Sequence, residues 1–173
     1  MRASQPLPCL WLMTDERQGG GLLDAVARLP RDAGIVFRHY SLAEVARRTL
    51  FDAVRAAHSG LLLLAGPAGL GEEWGADGSH GRGRGQGLRS APVHNYPEIR
   101  AAERAGAALL FLSPAFATRS HPGARPLGVA KFAWLARRTP LPVIALGGMG
   151  AARGRRLASF GAYGWAGIDA WSE

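Results

Sequence analysis

Four histidines and one arginine stand where side chains of their type can do chemistry. His39, His80, His94 and His121 each fall at the end of an expected strand or in the loop after one. An imidazole titrates near neutral pH, so such residues suit proton transfer, and several together suit a soft-metal site. For any one of them the plainer reading is a hydrogen-bonded structural histidine. Arg38 directly follows the apolar run Gly34 to Phe37. Its guanidinium can grip a phosphate or carboxylate with two parallel hydrogen bonds, or pair with Asp15 or Asp77 as a structural ion pair. Gly147-Gly148-Met149-Gly150 reads as a tight turn into a helix, where backbone N–H groups can face an anion.

The elements that must position these groups follow from the apolar pattern. Strands are expected at Leu10 to Met13, Gly34 to Phe37, Leu61 to Leu64, Gly78-Ser79, Val93, Ala108 to Leu112, Leu141 to Leu146 and Gly164 to Ile168. Leu61 to Leu64 is an unbroken run, as in a strand buried on both faces. Helices are expected at Leu22 to Leu29, behind a Ser41/Glu44 capping box, at Leu70 to Trp74, behind an Asn95/Glu98 cap, at Gly128 to Arg138, and from Gly150 to about Phe160. Strand and helix thus alternate eight times, with the last helix missing. Alternation of this kind implies a parallel sheet with right-handed crossovers. Eight strands permit closure as a (β/α)8 TIM barrel, shortened against the usual length of about 200 residues or more. An open doubly wound sheet is the alternative. In a barrel, Arg38 sits at the carboxyl end of the second strand, where active sites lie.

Composition limits the rest. The chain has 173 residues, 47% of them apolar, so a single domain spanning 1–173 with a sizeable core is expected. The single cysteine, Cys9, excludes an internal disulfide and a cysteine-rich zinc site. No apolar run reaches the length of a signal-peptide core or a membrane span, so a cytoplasmic setting away from membranes is expected. The net charge is +8, carried almost wholly by arginine, with Lys131 the only lysine. Such a surface can meet nucleic acid or phosphorylated metabolites. The arginines are dispersed, however, and Gly81-Arg82-Gly83-Arg84-Gly85 suits a loop over the barrel mouth better than an RNA-binding tail, so a nucleic-acid partner is not expected. Trp165 and Trp171 flank the last strand. Without a covering helix, apolar surface there needs cover, from within the chain or from a second copy, and a homodimer is expected.

From Gly60 onward the chain resembles the thiamine phosphate synthase/TenI family of small (β/α)8 barrels. Trp74-Gly75-Ala76-Asp77-Gly78-Ser79-His80 is similar to the family's Gly-Ala-Asp-Gly-x-His segment. Phe111-Leu112-Ser113-Pro114-Ala115-Phe116-Ala117-Thr118 is similar to its Gly-Pro-x-x-x-Thr loop, and Pro142 to Met149 to its seventh strand and Gly-Gly turn. Weaker likenesses lie at Leu12 to Asp15, Val93-His94 and Phe160 to Gly164. The resemblance implies thiamine metabolism. The activity would be that of a transferase joining an aminopyrimidine pyrophosphate to a thiazole phosphate with magnesium, or of a metal-free TenI-like thiazole isomerase.

Carried over position by position, the resemblance keeps Arg38, His80, Thr118, Ser120, Gly147 and Gly148. It loses the magnesium carboxylates, which fall on Ala65-Gly66 and Gly85. The serine before the fifth-strand histidine falls on Pro92, and the TenI catalytic histidine on Pro114. His121 replaces a loop lysine, and Asp169 replaces the serine ending the eighth strand. The reading is therefore a family barrel with no metal and no cofactor, binding a thiazole- or pyrimidine-like small heteroaromatic at its C-terminal face. His121 and His80 are the expected catalytic residues. Arg38, Thr118, Ser120, Gly147, Gly148 and Asp169 are the expected substrate contacts. Asp169 is expected to accept N–H groups of the Gly148 turn and so fill the family's phosphate site with its own charge, or else to pair with an arginine such as Arg153. A non-catalytic, ligand-binding or regulatory barrel is the alternative function.

Overall fold

Short apolar runs without polar alternation can be satisfied only in a sheet covered on both faces, and here they are the rungs of a closed ring. The computed structural model describes residues 6–85, 87–119 and 123–171; Ser120 and His121 lie outside them. Eight parallel strands, β1 (Leu10–Met13), β2 (Gly34–Phe37), β3 (Leu62–Ala65), β4 (Gly78–His80), β5 (Leu88–Val93), β6 (Leu109–Leu112), β7 (Val143–Ala145) and β8 (Gly164–Gly167), close in sequence order into a barrel. Closure is made by β1 against β8, with Leu10 opposite Trp165 and Leu12 opposite Gly167.

Among the described residues six α-helices surround the ring: α1 (Leu22–Ala27), α2 (Glu44–Ala57), α3 (Ala68–Glu73), α4 (Tyr96–Arg104), α5 (Gly128–Ala136) and α6 (Ala151–Ala158). No helix of the described residues is long and apolar enough to cross a membrane. The core has three parts. Trp11, Met13, Val36, Leu63, Phe111, Ile144 and Ala166 pack together with no helical residue among them, which is the filled barrel interior. The alternate strand residues face outward in two clusters, one against α1 and α2 through Val26, Phe51 and Val54, the other against α4, α5 and α6 through Ile99, Phe132 and Leu157.

Three expectations need correction. Ser41 does not cap α2: the N-cap is Ala43 with no side-chain bond, because the Ser41 N–H and hydroxyl both donate to Glu16 Oε1, at 3.1 Å each. The tertiary partner outcompetes the local one. Strand–helix alternation fails once. Between β4 and β5 the described residues form no helix, the connection being a short glycine- and arginine-rich loop. The minimal strand expected at Val93 is a six-residue strand beginning at Leu88, because the parallel ladder to β6 runs from Ser90 to Val93. The Asn95 cap does form, accepting the Glu98 N–H at 3.0 Å. After β8 a 3-10 turn, Asp169–Trp171, brings Trp171 flat against Trp165, with ring centroids 5.5 Å apart and planes within 6°.

The interior depends on a glycine opposite its largest side chain. Trp11 is fully buried, its indole N–H donating to Pro8 O at 2.7 Å. A Cβ on Gly34, its partner in the β1–β2 ladder, would lie 2.4 Å from the indole carbons. Gly34→Ala is therefore expected to lower unfolding stability by about 1–3 kcal/mol through overpacking. Urea unfolding should show a lower midpoint at unchanged slope; an unchanged midpoint would show that the Trp11 ring yields at no cost.

Candidate functional site

The carboxyl ends of β6, β7 and β8 and the loops that follow them enclose a cavity of about 280 Å³. Arg38, Thr118, Gly147, Gly148 and Asp169 all line it, so five of the expected substrate contacts are brought together. Leu146, Met149, Ala166 and Ile168 make its wall largely apolar, and His94, Ser113 and Arg119 add polar groups.

Each polar group is placed by a specific contact. Arg38 leaves the end of β2 and is pinned within the mouth. Its Nη2 donates to Asp15 Oδ2 at 2.7 Å, its Nε to Thr14 O at 2.7 Å, and its backbone N–H to the Thr14 hydroxyl at 2.9 Å. Of the two alternatives for Arg38, the structure thus contains the Asp15 pair, and the same side chain still lines the cavity. Asp77 is engaged elsewhere, by Arg55 at 2.7 Å. Asp15 also caps the 3-10 turn Glu16–Gly21, accepting the Arg17 N–H and Nε. Burial alone would raise its carboxyl, but the Arg17 hydrogen bonds and the Arg38 and Arg17 charges hold it below the usual carboxylate range.

The turn after β7 requires glycine. Gly147 and Gly148 have φ of 96° and 60°, and a Cβ on Gly148 would lie 2.3 Å from Ala117 O. The turn is thereby pressed against the loop after β6 and forms one cavity wall with it. Asp169, at the end of β8, does not accept the turn's N–H groups in the contacts it makes. Its Oδ2 takes Arg119 Nη2 at 2.9 Å, joining the β6 loop to the β8 end across the mouth. Arg153, the arginine first expected beside Asp169, donates instead to Gly148 O and lies over the Phe116 ring.

The histidines separate. His80 is inside the barrel, 5% exposed, with Nδ1 2.8 Å from Ser90 Oγ and its ring edge-on to Phe111. Burial lowers its pKa to about 3, and the Arg38 charge acts in the same direction. It is neutral and does not line the cavity. His39 is buried too, at a positive φ of 46°, stacked on Phe37 with Nδ1 3.0 Å from the Thr14 hydroxyl. The same hydroxyl accepts the Arg38 N–H at 2.9 Å. Burial again lowers its pKa. Only His94, among the described histidines, reaches the cavity. Its Nδ1 is 2.8 Å from Glu98 Oε2, and its N–H donates to the same oxygen at 3.0 Å. A carboxylate on Nδ1–H leaves Nε2 as a proton acceptor. His94, one of the four candidate histidines, was not one of the expected catalytic pair, and Arg119 was not among the candidates. The first was visible as the residue following a strand, the second as the neighbour of Thr118 in a polar loop.

The comparisons with known proteins agree with this architecture. The family model described as thiamine monophosphate synthase matches residues 90–171. The match covers just under half of the chain, so residues 90–171 are similar to the thiamine phosphate synthase/TenI family. A putative thiamine-phosphate synthase 2 of Aquifex aeolicus (strain VF5) is 37% identical over 81 residues, 47% of this chain and 44% of that protein, so the match spans less than half of the relative's length. Thiamine phosphate pyrophosphorylase from Pyrococcus furiosus superposes with a TM-score of 0.81 at 20% identity, covering 96% of this chain and 88% of that one. The Bacteroides thetaiotaomicron protein of the same description gives 0.66 at 15%, covering 94% and 83%. At these identities the two structures show the shared fold.

Magnesium, implied by the synthase resemblance, needs a set of oxygen ligands, usually carboxylates, and the residues at the family's metal positions do not fit it. Ala65 is fully buried, and Gly66 has φ of 138°. A Cβ on Gly85 would lie 2.2 Å from Ala68 Cβ. Among the described residues no cluster of three or more His, Cys, Asp or Glu side chains could hold a metal ion.

The buried imidazoles give a test. His80 is neutral in the fold down to about pH 3, whereas in the unfolded chain it binds a proton below about 6.5. Stability associated with it is intact above the unfolded value and is lost as pH falls from about 6.5 toward about 3, at up to roughly 1.4 kcal/mol per pH unit. His39 acts in the same sense. Urea unfolding from neutral to mildly acidic pH should show this decline, and His80→Gln should flatten it. An equal slope in the variant would mean that His80 is protonated in the fold.

Proposed function

We propose that the chain binds a small heteroaromatic, thiazole- or pyrimidine-like ligand in the mouth cavity, and that it does so without magnesium. The reading is carried by the cavity itself, a largely apolar space of about 280 Å³ rimmed by Arg38, Thr118, Arg119 and Asp169 beside the Gly147-Gly148 turn. An apolar slot with a few convergent polar groups suits a flat ring with a polar end. The resemblance to the family supports the ligand class, and the misfit at Ala65-Gly66 and Gly85 supports metal independence. The magnesium-dependent joining of pyrimidine and thiazole is not part of the proposal. With Gly66 and Gly85 where a cation would need carboxylates, the site holds no metal charge for a leaving pyrophosphate. The groups left for chemistry are His94, oriented by Glu98 for proton transfer, and Arg38, held by Asp15 to place the substrate. The homodimer remains part of this reading, through the half-buried Trp165 and Trp171 face.

A second reading, a binding or regulatory barrel without turnover, is favoured by one observation. Both mouth arginines are already paired with carboxylates of the chain, Arg38 with Asp15 and Arg119 with Asp169. Thermal-shift measurements with thiazole, aminopyrimidine and thiamine compounds are expected to show stabilisation that survives a chelator. Introduction into a synthase-deficient strain is expected to give no growth. Growth, or magnesium-dependent product in vitro, would overturn the proposal. Turnover assays with the binding compounds separate the two readings.

The Arg119–Asp169 pair yields a second expectation. A phosphorylated ligand entering the cavity meets the Asp169 carboxylate, and two unit charges about 4 Å apart repel by roughly 4 kcal/mol at an effective dielectric near 20. Arg119 offsets part of this but is committed to Asp169. Asp169→Ser removes the repulsion and frees Arg119, so the affinity for thiazole phosphate relative to thiazole alcohol should rise by about tenfold or more. Calorimetry on both ligands and both proteins measures the ratio. An unchanged ratio would show that ligand phosphate does not approach the β8 end.

A further inference from the structure

We propose that the side of the barrel formed by α4, α5 and α6 is a docking surface for single-stranded nucleic acid, gripped by arginines at the rim opposite the mouth. The charge of the chain is unevenly shared. Met1 to Glu98 hold eleven arginines and ten carboxylates, whereas Ile99 to Ile168 hold ten arginine and lysine residues and one carboxylate, Glu103. A compositional preference for arginine would raise the cations everywhere and would not strip one half of its carboxylates. Dispersed along the sequence, these cations are collected by the fold. α4, α5 and α6 pack on one cluster through Ile99, Phe132 and Leu157, and the helices of a parallel barrel all end at the rim away from the mouth. Arg104 ends α4, Arg137 and Arg138 follow α5, and Arg155 and Arg156 fall in the last turn of α6. Arg137 lies against Gly161, in the turn that leaves α6, so the ends of α5 and α6 are adjacent.

All five arginines are exposed, and among the described residues none has a carboxylate partner. The nearby acid, Glu103, is taken by Arg100. On the other side of the barrel Arg48 meets Asp52 and Arg55 meets Asp77. One cation at a helix carboxyl end offsets the partial negative charge of the last carbonyls. α5 and α6 each present two in succession, more than the helix end calls for. Aromatic rings stand among them. Trp134, 48% exposed, lies one turn before Arg138, whose guanidinium stacks 3.6 Å from the ring centroid, and Tyr96 meets the same indole edge-on. Tyr163, after α6, is exposed as well, whereas the exposed large aliphatic side chains among the described residues, Leu23 and Val45, belong to α1 and α2. A lipid surface or an apolar protein partner needs aliphatic side chains to bury. Guanidinium groups interleaved with π faces instead match phosphates and unpaired bases. With neighbouring helices about 8–10 Å apart, the three ends extend over roughly 20 Å, the axial rise of about six phosphates on one strand.

Fluorescence anisotropy of a labelled, mixed-sequence RNA of about 20 nucleotides, and of the same sequence as single-stranded DNA, titrated with the whole chain, tests the surface. Binding is expected at low salt. The logarithm of the association constant should fall against that of salt with a slope of about −3.5, where five phosphates are neutralised at about 0.7 each. Arg137→Ala with Arg156→Ala should reduce the slope by about 1.4. Arg28→Ala with Arg31→Ala, which removes the same charge at the end of α1, should leave it unchanged. Trp134→Leu keeps every charge and should weaken binding by about tenfold at an unchanged slope, the loss of one stacked base. Poly-L-glutamate and phosphatidylserine vesicles, matched in charge, should compete worse than the unlabelled RNA. No binding at low salt, an equal loss of slope in the α1 variant, an affinity unchanged by Trp134→Leu, or competition by either polyanion equal to that of RNA overturns the proposal.

Discussion

The packing of Trp11 inside a ring of only eight short strands is the constraint on which the rest depends. A closed barrel has no free edge, so every strand must hold register with two neighbours while its inward side chains fill one narrow space. Trp11 and Phe111, the two aromatic rings of the interior cluster, meet edge-on there, with centroids 5.4 Å apart. Their bulk is accommodated because glycine stands beside them at Gly34 and because Ala65 and Ala166 are small. Since β1 pairs with both β2 and β8, the seat of Trp11 also sets the height at which Thr14 and Asp15 emerge and the position of the end of β8.

At the mouth the ring's geometry becomes electrostatics. Asp15 emerges one strand away from Arg38 and pairs with it, while its other oxygen caps the turn that leads to α1. Gln18 of that turn donates to Ile168 O at 3.2 Å, so the start of the chain is tied to the end of the last strand. Arg47 of α2 closes the same region from outside the ring, donating to Arg38 O at 2.8 Å and Ala65 O at 2.7 Å. The chain's own guanidinium groups are fixed by its own oxygens, and the cavity that remains is small and largely apolar.

The loop between β4 and β5 shows the cost of a short chain. Leaving out one covering helix shortens the crossover, but it opens the outer face of β5. The structure fills that gap partly with Arg89, whose buried charge is spread over two carbonyls, one of them at the carboxyl end of α4 where partial negative charge collects. Glu98 connects the two faces of the molecule here. It receives His94, which lines the mouth, and Arg82, which lines the β5–α4 cavity.

Much of the fold was legible in the residues. Unbroken runs such as Leu62 to Ala65 and Leu109 to Leu112 are strands because only a doubly covered sheet accepts them, and Asn95 caps α4 because its acceptor lies three residues from the N–H it meets. These are local matters, so the sequence determined them, along with the near-regular alternation that implies a parallel sheet and the glycine turn after β7. Which groups share a site was not local. Ser41 had the right spacing for a cap and was taken by Glu16 from another loop. His80 and His94 looked alike as strand-end histidines, yet His80 is the last residue of β4, inside the barrel, while His94 follows β5 and stands at the mouth. Asp169 met Arg119, fifty positions away, rather than the turn or Arg153. Ion pairs and burial depend on closure of the ring, which brings distant strand ends within a few ångströms, and only the tertiary structure decided them.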